Sequence, residues 1–134
     1  MLRRISLVAA TVAMLALSAL PASAAPMHSS THKLAFPGLH GVKAWGTWAR
    51  VSKGIKVHVC DEVTARGVFA SGAVVVVKNS TRKLQTNIGA VAFGYHQSIC
   101  RDGTLRYTAH MQVYTFTGNN KGQIDHRSKT KNVF

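Results

Sequence analysis

Apolar and polar residues alternate along most of the chain beyond residue 44. In IKVHVCDEV, residues 55–63, Ile55, Val57, Val59 and Val63 alternate with Lys56, His58, Cys60 and Glu62. Successive strand side chains point to opposite faces, so a period of two predicts a strand with one face buried. WGTWARV at 45–51 reads as the strand before it, joined through Ser52-Lys53-Gly54. Ala65-Arg66-Gly67 then turns the chain into VFASGAVVVVK at 68–78. Its four consecutive valines are stiff at χ1 and suit a pleated, buried surface, which predicts a central strand. LQTNI at 84–88 is a short strand and GAVAFGYHQSIC at 89–100 a longer one. TLRYTAHMQVYTFTG at 104–118 follows, and QIDHRSKTKNVF closes the chain, partly as an edge strand and partly as a basic tail. Polar turns separate these runs and no window carries a helical period. Six or seven short strands predict an all-β fold, a small antiparallel β-sandwich or barrel.

Asp102-Gly103 carries the strongest turn signal, because an Asp-Gly pair supplies the positive φ of a type I′ hairpin. With those two residues as the turn, Arg101 faces Thr104 and Tyr95 faces His110. One face of the hairpin then holds Cys100 and Leu105. The other gathers Tyr95, Arg106, His110, Gln112 and Tyr114, a polar-aromatic candidate ligand surface. Trp45 and Trp48 are three apart, so a regular strand sends them to opposite sides. Trp48 is included among the candidates as an exposed platform for a sugar ring. Large aromatics mostly serve packing, and the plainer expectation is that both tryptophans pack.

The segment before residue 25 has a different character. Arg3 and Arg4 precede an uncharged run of 16 residues, 5–20, which ends at Pro21 and Ala22-Ser23-Ala24. A positive start, a short apolar run and a small-residue cleavage site form a secretory signal peptide, here residues 1–24. The run is shorter than the roughly 20 residues a membrane span needs. No integral membrane segment is expected in the mature chain. Residues 25–43, with Pro26, Pro37, Gly38 and Gly41, read as a flexible N-terminal arm. His28, His32 and His40 in that arm preform no ligand shell, and neither a metal site nor a cofactor is expected. Residues 44–134 form the single β domain.

Charge narrows the partner. Without Arg3 and Arg4 the chain keeps 15 Lys and Arg against 4 Asp and Glu, a net charge of +11. Such an excess draws a small protein to polyanions. Outside a cell these include wall polymers and acidic polysaccharides; a glycan or another secreted protein is a further candidate partner. Arg127, Lys129 and Lys131 in the tail are the candidate polyanion contacts.

Export also fixes the expectation for the two cysteines. In an oxidising compartment Cys60 and Cys100 should form one disulfide, closing about 41 residues. The rivals are a reactive thiol or a metal site with His58 and His96, and neither matches a known ligand spacing. Cys100 falls on the presumed core face, whereas Cys60 alternates with Lys56 and His58 on the polar side. Either a bulge at Cys60-Asp61 turns it inward, or the bridge lies near a sheet edge.

Catalytic motifs are missing from the sequence. A nuclease would use the positive charge, and His96, His110, His126, Glu62 and Arg106 are available for acid-base work, but in no nameable arrangement. There is no nucleophile elbow for a serine hydrolase. The exported context, the two cysteines and the run TLRYTAHMQVYTFTG together resemble small secreted β-rich proteins of actinobacteria of undefined function. The resemblance implies an exported β protein of the cell envelope or medium, and carries over no catalytic residue. The resulting expectation is a secreted, non-enzymatic protein bound to an anionic polymer. The alternatives are a small secreted nuclease or other hydrolase, and an inhibitor or antagonist that docks on another protein through its β edges and loops.

Overall fold

The computed structural model describes residues 30–134, so the expected signal peptide lies outside the described residues. Nine strands follow one another: β1 (His32–Lys33), β2 (Val42–Val51), β3 (Gly54–Val63), β4 (Ala70–Lys78), β5 (Gln85–Phe93), β6 (Ser98–Leu105), β7 (His110–Gly118), β8 (Ile124–Arg127) and β9 (Lys131–Asn132). They form two antiparallel sheets. Sheet A has the order β1-β2-β3-β6, and sheet B has β5-β4-β7-β8, with β9 also pairing β7. The chain is therefore an all-β sandwich. No helix among the described residues is long and apolar enough to cross a membrane.

The alternation in β3 does what its pattern implies. Ile55, Val57, Val59 and Val63 are fully buried between the sheets, while Lys56 is exposed and His58 half-exposed. The valine run is the centre of sheet B, paired with β5 on one side and β7 on the other. Val75 and Val77 point inward and meet Met111 and Val113 in a core that includes Leu105, Ala73 and Ala90. Burying each of the valine, leucine and methionine side chains stabilises the fold by roughly 1.5–3 kcal/mol before entropy is counted. Toward the other end the interior turns polar, with Asp61, Ser71, Thr115 and Thr117 all buried.

The expected Asp102-Gly103 hairpin is not formed. Those residues lie within β6, which runs straight through them and pairs with β3. The turn comes earlier, where the Gln97 N–H donates to the Gly94 carbonyl and both Gly94 and His96 have positive φ, 89° and 65°. The chain crosses there from sheet B to sheet A, and crosses back after Leu105. β5 and β7 are thus not partners; each flanks β4. Gly103 has its own reason to be glycine: a Cβ would sit 2.8 Å from Cδ1 of Ile88 on β5. The residue type reflects packing between sheets rather than a turn.

The described part of the expected arm is built into the fold. Leu34 is 7% exposed and belongs to the core. Its N–H donates to the Gly46 carbonyl, and β1 pairs with β2. The Pro37 carbonyl accepts from the Thr115 hydroxyl. The basic tail is likewise incorporated. β8 and β9 pair with β7, the Met111 N–H donates to the Phe134 carbonyl, and Phe134 packs on the core beside Trp48.

Candidate functional site

The structure offers two outer faces. On sheet B, strand alternation decides what projects. Met111, Val113, Thr115 and Thr117 of β7 face the interior, so His110, Gln112, Tyr114 and Phe116 face out. Three of the expected ligand residues, His110, Gln112 and Tyr114, therefore do share a surface. Arg127 joins them from β8, its guanidinium 3.8 Å from the centre of the Tyr114 ring. Gln112 donates to the Asn132 side chain at 2.7 Å across the β7–β9 pair. Lys78 pairs with His110 at one end of the row. At the other end Phe116 lies over Gly72, where a Cβ would come within 2.2 Å of the ring. A groove of about 570 Å³ opens there between Phe69, Val91, Phe93, Phe116 and Ile124.

The other candidates lie elsewhere. Tyr95 sits in the β5–β6 turn, with His96 3.9 Å and Arg66 5.0 Å from its ring. Arg106 follows β6 and donates to the Tyr107 hydroxyl at 2.8 Å. Trp48 pairs with Val57, on the inner side of β2, and is held between His32 at 4.5 Å and Phe134 at 5.2 Å. Trp45 is the exposed tryptophan, at 36%. Lys129 lies between β8 and β9, and Lys131 on β9 pairs with Val113; both are exposed. His96 and His110 stand at opposite ends of the sandwich, the first bonded through its N–H to Val63 and the second paired with Lys78.

The outer face of sheet A carries a different assembly. Cys60 and Cys100 are directly opposed on β3 and β6 and form the expected disulfide, with Cα atoms 4.1 Å apart. No bulge is needed: both sulfurs sit on the outer face, and β6 is the sheet edge. Cys60 is only 1% exposed, because Cys100 faces it on one side and Trp45 on the other. Cys100 is exposed. Two residues along, His58 faces Asp102. Its Nδ1 lies 2.7 Å from the Asp102 Oδ1, and its Nε2 lies 3.2 Å from the Cys60 Sγ. A carboxylate only accepts, so Nδ1 carries a proton, and in the neutral form of the ring the Nε2 lone pair faces the sulfur.

The turn that the sequence predicts at Asp102-Gly103 conceals Asp102 as a site residue. The signal was nonetheless there. Once Cys60 opposes Cys100 in antiparallel strands, His58 must oppose Asp102. His58, Cys60 and Cys100 converge closely enough to hold a metal ion in shape alone. Their sulfurs are bonded to each other, so the set is not a ligand shell in this oxidised form.

One further carboxyl is perturbed. Asp61 points inward from β3, fully buried, and accepts from the Ser71 hydroxyl at 2.6 Å. Burial raises its pKa from 3.8 to about 6, against the lowering effect of hydrogen bonds from Ser71 and the Ala92 backbone.

No protein-family model, no curated protein and no solved structure matches this chain.

Proposed function

We propose that the chain is a secreted, non-enzymatic binding protein, held on an anionic extracellular polymer such as a wall polymer or acidic polysaccharide. The outer face of sheet B is the contact surface. The row His110, Gln112, Tyr114 with Arg127 and Asn132 carries this reading. It presents a guanidinium on an aromatic ring beside two carboxamides, the groups that meet an anionic sugar polymer: charge, ring face and hydroxyl partners.

The distribution of acids supports the choice of face. Glu62 and Asp102 lie on sheet A, and Asp61 is inside. Asp125, the acid of sheet B, accepts from Thr117 at 2.7 Å at the irregular end of β8. The row is therefore left with cations nearby and no opposing carboxylate of its own. Lys131, paired with the inward-facing Val113, and Lys129, between β8 and β9, add exposed positive charge near the row without standing in it.

The test is cosedimentation of the oxidised protein with purified bacterial walls, with and without their anionic polymers, across a salt series. The reading expects binding that needs those polymers, fades with salt and weakens in Arg127→Ala and Tyr114→Ala. Binding indifferent to both salt and polymer would reject it.

A further inference from the structure

We infer that the Cys60–Cys100 bridge is a thiol–disulfide exchange site for low-molecular-weight thiols: Cys100 is the sulfur attacked, Cys60 the leaving group, and His58, oriented by Asp102, the group that receives the departing charge.

Three observations assign these roles. Accessibility separates the two sulfurs. Cys60 is 1% exposed beneath Trp45, whereas Cys100 lies open on the edge strand. A nucleophile must approach a disulfide along the S–S axis from the far side, and the far side of Cys100 has no further strand of sheet A. The imidazole is placed on one sulfur only. His58 Nε2 is 3.2 Å from the Cys60 Sγ, the atom that becomes a thiolate if Cys100 is attacked. The third observation is orientation. Asp102 at 2.7 Å fixes the ring and its tautomer, so the nitrogen that meets the sulfur is the one able to take a proton.

The step balances without an outside oxidant. A thiol RSH gives up its proton and its sulfur bonds to the Cys100 Sγ. The Sγ–Sγ bond breaks, and its electron pair remains on the Cys60 Sγ. The proton is taken up at His58 Nε2, leaving a thiolate–imidazolium pair with Asp102 across the ring. A cation beside a thiolate stabilises it and makes it a better leaving group. The same pair runs in reverse: the Cys60 thiolate attacks Cys100–SR, closes the bridge and expels the thiol. His58 touches a reacting atom and is catalytic in this exchange; Asp102 is a positioning residue. A purely structural bridge would need neither.

The probe is reduced glutathione, added to the oxidised full-length secreted protein. Samples are quenched with acid, and the mixed disulfide is timed and mapped by mass spectrometry. The adduct is expected on Cys100. His58→Gln should slow its formation by about tenfold or more. Asp102→Ala should slow it less, Asp102→Asn should restore part of the loss by still accepting from Nδ1, and Asp102→Ala should add nothing in the His58→Gln background. The side chains of His58 and Asp102 are 43% and 67% exposed, so the variants should fold, which circular dichroism checks. Mapping needs only the wild-type protein. An adduct on Cys60, no adduct at all, or a His58→Gln effect smaller than about tenfold overturns the inference.

Discussion

The outer faces of the two sheets follow the same two-residue alternation and end up differently constrained. On sheet A the projecting groups are tied to one another: sulfur to sulfur, imidazole to carboxylate, imidazole to sulfur. On sheet B they sit side by side, with a guanidinium resting on a ring and one amide pair. A closed set of partners fixes one atom in one place, which suits bond chemistry. An open row spreads weak contacts over a length of strand, which suits a polymer. The difference has a topological root. Sheet A places β6 at an edge against β3, whereas sheet B continues past β7 to β8 and β9.

The largest test of this contrast removes the covalent link. Cys60→Ser with Cys100→Ser opens a loop of sequence separation 40 and should cost about 4 kcal/mol by chain entropy. A urea titration reads the loss. Polymer binding by the folded fraction should persist, because sheet B is not anchored by the bridge.

Next comes the carboxyl between the faces. Asp61 is held above its ordinary value, so the folded state takes up a proton that the unfolded state releases between pH 3.8 and about 6. Its contribution is fully favourable below the unfolded value and is lost as pH rises through the folded one. Above that window the shift corresponds to about 3 kcal/mol. Asp61→Asn should be more stable than wild type at neutral pH by about 2 kcal/mol, the new amide N–H offsetting about 1. Paired urea titrations at several pH values check this, and in acid the order should reverse, wild type becoming the more stable by about 1 kcal/mol.

Gly72→Ala acts on sheet B alone. Its methyl meets the Phe116 ring, which must move, at a cost of about 1–3 kcal/mol. Glutathione exchange at the bridge should not change. The smallest effect on stability belongs to Arg127→Ala, about 0.5–1 kcal/mol for an exposed cation on a ring. Its effect on wall binding should be out of proportion to that loss, and the cosedimentation assay measures it.

Much of this architecture was readable before any coordinates. The alternation in β3, the valines of β4 and the Ser52-Lys53 turn each depend on local pattern, and all of them form. The disulfide followed from compartment and count. What failed depended on contacts distant in sequence. Gly103 is small because Ile88 needs the space, and no local rule distinguishes that from a hairpin glycine. Leu34 belongs to the core although its neighbours include prolines and glycines, because a single apolar side chain can anchor a segment that lacks periodicity. Of the site residues, His110, Gln112 and Tyr114 were placed together by alternation alone. Tyr95 and Arg106 were added through the wrong pairing. His58 and Asp102 become neighbours only once the register of β3 and β6 is known.

The directly opposed cysteines also act as a gauge during assembly. Neighbouring registers of β3 on β6 that keep the same face inward differ by two residues, a slide of about 6.8 Å. That slide carries the sulfurs out of bonding reach. Oxidation therefore seals only chains whose strands are already aligned. A misaligned copy keeps two thiols, and stays open to any chemistry that reads free sulfur.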